Sequence, residues 1–149
     1  MIEPFDDIYF MKKALQEAEA AYEKGEIPVG AVIAIENRVI ARGHNLTETL
    51  NDVTAHAEMQ AITAAANFLG GKYLQKCTLY VTLEHCHMCA GAVYWSQISN
   101  IVYGARDMEG GCINLQTKQH PKTTIKGGVL EEESSALLKR FFIEKRNLN

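Results

Sequence analysis

The sequence has no long apolar run and no basic leader. Its longest apolar stretches, residues 29–35 and 78–83, are far shorter than the roughly 20 residues that span a bilayer. The charged residues among the first seven are Glu3, Asp6 and Asp7, whereas a secretory signal would carry positive charge there. We therefore expect a cytoplasmic protein with no membrane partner.

An excess of basic residues is also lacking. With 15 Lys and Arg against 18 Asp and Glu, the formal net charge is -3. Such a balance argues against binding nucleic acid mainly through many phosphate contacts. One basic cluster near the C-terminus is either a solvated helix face or a patch that contacts phosphates, and it consists of Lys139, Arg140, Lys145 and Arg146.

No linker, repeat or low-complexity tract divides the 149 residues, so we predict a single domain over residues 1–149. Helical periodicity begins after Asp6, a candidate N-cap, and ends at Gly25. The apolar face of this first helix is formed by Ile8, Met11, Leu15, Ala18 and Tyr22.

The next apolar stretches, residues 29–35 and 38–42, flank the turn-like pair Glu36 and Asn37. This pattern predicts an antiparallel hairpin, in which Gly30 permits another backbone to approach closely.

The rest of the chain alternates between strands and helices. We predict strands over residues 78–83, 101–103 and 123–125, and helices over residues 55–69, 86–96 and 131–147. The last helix would face the core with Leu137, Leu138, Phe141 and Phe142. This alternation predicts an α/β fold with a central sheet covered by helices.

The residues that carry chemistry lie in two short motifs, His-Ala-Glu at residues 56–58 and Cys-His-Met-Cys at residues 86–89. One imidazole and two thiolates, from His56, Cys86 and Cys89, would bind zinc and leave its fourth position open, which is typical of catalytic zinc. At the start of a helix, the two cysteines share a face and the helix dipole favours the thiolate. Glu58 points away from His56 in a regular helix, so it is better suited to accept a proton than to bind metal.

Two other interpretations of these motifs remain open. A Cys-x-x-Cys pair alone is typical of structural zinc knuckles and of redox sites. A closed structural site would need a fourth ligand, for which the candidates are His44, His85, His87 and His120. The remaining thiols, Cys77 and Cys112, are interpreted as buried small apolar residues.

The chain resembles the bacterial tRNA-specific adenosine deaminases, members of the cytidine/deoxycytidylate deaminase zinc superfamily, which convert a wobble adenosine to inosine. The resemblance covers nearly the whole chain and is weakest over residues 108–118. It is carried by residues 26–33, 54–58, 82–84, 88–92, 102–107, 128–130, 136–138 and 141–142.

This resemblance implies a single-domain, three-layer α/β/α fold with a central mixed five-stranded sheet. It also implies one Zn²⁺ per chain on His56, Cys86 and Cys89, with attack at C6 of adenine. Glu58 would take the proton from the activated water and deliver it to a ring nitrogen. The family is homodimeric, and both subunits form its tRNA groove.

Three substrate contacts follow from the same resemblance. Asn45 would hydrogen-bond the target base, or else be a turn residue. Val29 would line the base pocket, or else be a core valine. Asp107 would contact a ribose hydroxyl of the anticodon loop, although an Asp after a strand is also a common helix cap.

The chain departs from the family at His85, which stands where the family has proline before the first cysteine. Proline fixes φ at a helix start, where the missing N–H has no intrahelical partner anyway. We predict that zinc still binds and that turnover is lowered or substrate preference is altered.

The leading hypothesis is thus deamination of the wobble adenosine in a tRNA anticodon loop, whose unstacked base is accessible. One alternative is a deaminase of a free nucleobase or nucleoside, such as guanine or cytosine, which the acidic net charge favours. Another is a non-catalytic RNA-binding module stabilised by zinc, against which Glu58 argues.

Overall fold

The computed structural model describes residues 5–148. Glu3 and the ends of the predicted domain, residues 1–4 and 149, lie outside the described residues. The elements in chain order are α1 (Asp7–Glu23), β1 (Gly30–Ile35), β2 (Arg38–His44), α2 (Ala57–Leu69), β3 (Thr78–Leu83), α3 (His87–Ser96), β4 (Asn100–Ala105), β5 (Thr124–Lys126) and α4 (Glu131–Asn147). Within this part of the chain, none of the helices is both long and apolar enough to cross a bilayer.

The strands form one five-stranded sheet in the order β2-β1-β3-β4-β5. β1 pairs antiparallel with β2 and with β3, whereas β3, β4 and β5 are parallel to one another. The predicted hairpin and the predicted mixed sheet are both confirmed.

Helices cover both faces of this sheet. Neighbouring residues of a strand point to opposite faces, so one strand contributes side chains to the cores on both sides. Ile33 of β1 packs on the side of α2, in one core cluster with Ala61. Val32 points the other way and packs with Met11 of α1. α3 lies on the α2 side, where Val93 joins the same core cluster, and α4 packs against α1 and β4. The three-layer α/β/α fold is therefore confirmed.

Local signals in the sequence explain how α1 begins and where it packs. The Asp6 carboxylate accepts a hydrogen bond from the Tyr9 backbone N–H at 2.8 Å, and Gly25 ends the helix with a positive φ of 77°. A Cβ at Gly30 would overlap backbone atoms of Ala14 and Ala18. The predicted close approach of another backbone to Gly30 is therefore confirmed, and that backbone belongs to α1.

Two predicted core residues are exposed instead. Ile8 is 47% exposed, because the buried stripe of α1 lies on the Phe10 side of Met11 and Ile8 lies on the other side. Phe142 is 46% exposed, because α4 buries a narrow line through Phe141 and the next residue is turned about 100° away. Periodicity found both helices and misjudged the width of their buried faces.

Candidate active site

The starts of α2 and α3 meet at the bottom of a cavity. His56 is the N-cap of α2 and Cys86 is the N-cap of α3, both with extended backbone (φ -72°, ψ 157° and φ -81°, ψ 176°). Neither side chain caps its own helix. Both are therefore free to turn toward a common point, and Cys89 joins them from the first turn of α3.

The three side chains converge closely. Nδ1 of His56 lies 3.7 Å from Sγ of Cys86 and 3.6 Å from Sγ of Cys89. Tetrahedral ligands at a Zn–S distance of about 2.3 Å and a Zn–N distance of about 2.1 Å are themselves about 3.6 Å apart. The donor set and its spacing therefore fit a single zinc ion, with Nδ1 as the histidine donor.

No fourth His, Cys, Asp or Glu within residues 5–148 joins this cluster. His44 instead pairs with Glu17 and Lys24, each at 3.0 Å. The others proposed as fourth ligands also lie elsewhere: His85 is buried beside Cys112, His87 is exposed, and His120 accepts a hydrogen bond from Lys122. The arrangement does not support a closed structural site.

The protonation of the cluster favours metal binding. A hydrogen bond from the Cys89 thiol, followed by one from His56, lowers the pKa of Cys86 to about 3. The same pairing raises the pKa of Cys89, and the contact with Cys86 raises that of His56. The lowered pKa of Cys86 favours its thiolate, which is the form that binds a metal ion.

Glu58 lies in the first turn of α2 and is almost completely buried, at 4% exposure. Burial raises the pKa of its carboxyl group. A hydrogen bond from its own backbone N–H and the charge of His56 lower this pKa, but they offset only part of the effect of burial. A carboxyl group with a raised pKa can exchange a proton near neutral pH, as acid–base catalysis requires.

These groups open onto a cavity of about 170 Å³. Its lining includes six residues singled out by the sequence: Val29, Asn45, His56, Glu58, Cys86 and Asp107. Segments from five different parts of the chain thus meet at one site. The structure brings the predicted residues together, and their individual roles stay predictions.

Asn45 is buried, and its side-chain oxygen has no hydrogen-bond partner within residues 5–148. An unpaired buried acceptor costs about 1–3 kcal/mol, so a polar cavity-lining amide of this kind suits a polar ligand. Val29 is only partly buried and packs at the edge of the core cluster while also lining the cavity. The core and pocket interpretations of Val29 therefore both describe it.

Asp107 lies in a turn rather than at a helix start. Its Oδ1 accepts hydrogen bonds from the backbone N–H groups of Glu109 (3.1 Å) and Gly110 (3.0 Å). Within the described chain, Oδ2 accepts none. Asp107 thus has a local structural role, and it lines the cavity as well.

Two buried carboxylates, of which Glu84 lines the cavity, were not predicted as functional residues. Glu26 accepts hydrogen bonds from the backbone N–H groups of Glu48 (3.0 Å) and Thr49 (2.6 Å) and from the Thr49 hydroxyl. Glu84 lines the cavity, and its carboxylate accepts hydrogen bonds from backbone N–H groups of the segment after β4. For Glu84, the signal available in the sequence was a charged residue directly after a strongly apolar strand.

The remaining cysteines are ordinary buried thiols, as predicted. Cys77 and Cys112 are free and fully or nearly fully buried. Burial raises the pKa of Cys77, and burial together with Glu84 raises that of Cys112 to about 12. Neither is ionised near neutral pH.

Comparison with known proteins gives this fold and site a class. The family model described as MafB19-like deaminase matches residues 5–149, so the chain belongs to that deaminase family. The tRNA-specific adenosine deaminase of Bacillus subtilis is 48% identical over 147 residues, which cover 95% of this chain and 91% of that protein. Within the deaminases, the chain is therefore a member of the tRNA-specific adenosine deaminases and an enzyme.

Two solved structures of deaminases are similar to this chain. One, from a study of A-to-I editing by tRNA:A34 deaminases at the wobble position of transfer RNA, matches with a TM-score of 0.81 at 42% identity, over 87% of this chain and 99% of that chain. Guanine deaminase from Bacillus subtilis matches with a TM-score of 0.62 at 42% identity, over 65% of this chain and 62% of that chain.

Proposed function

We propose that this protein deaminates adenosine to inosine at the wobble position of a tRNA anticodon, using one zinc ion per chain. The observation that carries the proposal is the three-donor cluster of His56, Cys86 and Cys89 beside the buried Glu58, in a chain 48% identical to a tRNA-specific adenosine deaminase. A cluster without a fourth protein ligand leaves room for a reacting group.

His56, Cys86 and Cys89 would hold the zinc. The chemistry that zinc supplies when bound is Lewis-acid activation of water at neutral pH. Two thiolates and a neutral imidazole balance its charge, so less acidity is gained than with three imidazoles, and a protein base beside it becomes important.

Glu58 is that base. Its carboxylate accepts a proton as water adds to C6 of adenine and delivers the proton to N1, the ring nitrogen next to C6. Glu58 then takes the proton of the new C6 hydroxyl group and passes it to the exocyclic amino group, so that the C6–N bond breaks, ammonia leaves and the C6 carbonyl of inosine forms. Burial suits both halves of this cycle, because it brings the charged and neutral forms of Glu58 closer in free energy.

Contacts along the cavity would hold the base and its nucleotide. The unpaired oxygen of Asn45 would accept a hydrogen bond from the base, and Val29 would pack against the ring. Oδ2 of Asp107 would accept a hydrogen bond from a ribose hydroxyl, a group that a free nucleobase lacks.

The proposed partners are the tRNA anticodon loop and a second copy of this chain. We also propose that residues 1–149 form a single catalytic domain and that the protein is cytoplasmic. Light scattering on the purified protein should give twice the chain mass, and a monomer at micromolar concentration would contradict the homodimer.

Single-turnover deamination of a short anticodon stem-loop would test the function. Free adenosine, guanine and cytosine are run in parallel, with Glu58→Ala as the control. We expect inosine from the stem-loop, none from the variant, and a rate that falls steeply with salt for the RNA alone. Zinc should be close to one per chain after purification without chelator.

Deamination of guanine without reaction on RNA would favour the small-molecule alternative, to which the similarity with guanine deaminase draws attention. Binding of the stem-loop without deamination of any substrate would favour the non-catalytic module. Zinc well below one per chain would contradict the metal assignment.

A further inference from the structure

Glu84 stands at the end of β3, two residues before Cys86, and its side chain is fully buried beside the cavity. Its Oε1 accepts a hydrogen bond from the Asp107 backbone N–H at 3.1 Å, and its Oε2 accepts one from the Ile113 backbone N–H at 2.8 Å. Both oxygens thus bind one segment, residues 106–113, which we name the rim loop.

Further contacts join Glu84 to the same loop. Nε of Arg106 lies 3.6 Å from Oε1 and supplies the opposite charge, while the Cys112 thiol donates toward Oε2 at 3.6 Å. A Cβ at Gly111 would lie 2.6 Å from the carboxyl carbon of Glu84, so this glycine lets the loop pack directly on the carboxylate. The rim loop is shaped around Glu84.

These contacts fix the position of Asp107. Glu84 holds its backbone N–H, and the Asp107 carboxylate closes the turn to Glu109 and Gly110. With Oδ1 committed to the turn, Asp107 lines the cavity from a backbone anchored at both sides. Without Glu84, the backbone N–H groups of Asp107 and Ile113 and the Arg106 charge lose their shared carboxylate partner, which favours a rearranged loop.

We propose that Glu84 is a positioning residue for the polynucleotide substrate: it sets the rim loop so that Asp107 meets the nucleotide that carries the target base. The proposal rests on the proposed function. It predicts that Glu84 affects binding of RNA through Asp107, rather than the chemical step on the base.

The loop itself can be tested without substrate. Glu84→Gln keeps the shape of the side chain but turns an amide NH₂ toward N–H donors and removes the charge opposite Arg106. We expect at least tenfold faster hydrogen exchange at the amides of Asp107 and Ile113. Glu109→Gln is the matched control, because it removes an exposed carboxylate from the same loop and should leave both amides unchanged. Equal exchange in Glu84→Gln and the parent protein would overturn the proposal.

Binding tests the link to RNA. In a Glu58→Ala background, the Kd for an anticodon stem-loop should rise about tenfold with Glu84→Gln and by a similar factor with Asp107→Ala, measured by fluorescence anisotropy. Adding Glu84→Gln to Asp107→Ala should change it little further, because the first acts through the second. In otherwise unaltered enzyme, Glu84→Gln should raise KM for the stem-loop and leave kcat and zinc content within about twofold.

The outcomes separate the two proposals. If the Glu58→Ala protein binds no stem-loop at all, the proposed function fails. If it binds and Glu84→Gln leaves Kd unchanged, the positioning role alone is wrong. Full additivity with Asp107→Ala, or a fall in kcat at constant KM, would likewise overturn the role of Glu84 and leave the proposed function intact.

Discussion

Nδ1 of His56 lies 3.6 Å from Sγ of Cys89, although 33 residues separate them in the chain. The two meet because α2 and α3 cover the same face of the sheet and begin at the same edge. The site therefore depends on two helix starts that are formed independently and brought together by the core. Loss of a donor at either helix start should disable metal binding while the fold remains.

His56→Ala should remove the single nitrogen donor of the cluster. We expect zinc per chain, measured by elemental analysis, to fall from about one to well below one half, with a lower thermal midpoint. His87→Ala is the matched control, because His87 lies between the two cysteines and is exposed. Equal zinc loss in both variants would show that His56 is not a ligand.

Glu58→Gln should separate catalysis from metal binding. The amide fills the same buried space but cannot accept a proton, so the single-turnover rate constant on the stem-loop should fall by a factor of about 10² to 10⁴. Zinc content should stay at the parent value, since Glu58 is outside the donor cluster. A variant that retains its rate, or that loses its zinc, would contradict the assigned role.

Local patterns were enough to predict most of the fold and the core of the site. Helical and strand periods report on neighbouring residues, and the spacing of Cys86 and Cys89 is itself local. The contacts of Glu84 could not be predicted, because its hydrogen bond with Ile113 spans 29 residues and exists only once the sheet has formed. Ile8 was misjudged for a similar reason, since periodicity cannot tell how far around a helix its neighbours reach.

His85→Pro tests the departure from the family. The His85 imidazole is fully buried, and burial lowers its pKa against the opposing effect of a side-chain hydrogen bond with Gln119. Its carbonyl accepts a hydrogen bond from the Cys112 backbone N–H at 3.0 Å, a contact that proline keeps. Because proline also restricts the backbone before Cys86, we expect unchanged zinc content and a higher single-turnover rate on at least one substrate.

His85→Ala is the control for the proline variant. It removes the same ring without fixing φ, so it should be slower than His85→Pro if restriction of the backbone is the cause. A proline variant no faster than the parent protein on every active substrate would refute the predicted effect on turnover.

Glu26→Gln should reveal a carboxylate that stabilises the fold above acidic pH. Burial by itself would raise the pKa of Glu26, but hydrogen bonds from Thr49 and Glu48 lower it below the ordinary value of 4.5. A group whose pKa is lowered on folding contributes stability that is present above its unfolded-state pKa and lost as pH falls through its folded-state pKa. At pH 7 the variant should therefore be less stable by about 1–3 kcal/mol, because an amide cannot accept all three hydrogen bonds.

The pH dependence of that difference identifies its source. In urea unfolding, the gap between parent and Glu26→Gln should be constant from pH 7 down to about pH 5 and then narrow as Glu26 becomes protonated in the parent protein. Zinc release in acid affects both proteins and cancels in the difference. Glu23→Gln, at the exposed end of α1, should match the parent protein throughout. A gap that stays the same below pH 4 would mean that the loss of stability comes from the introduced amide group and not from the missing charge, since Gln has the same shape as Glu and the parent carboxylate is neutralised at low pH.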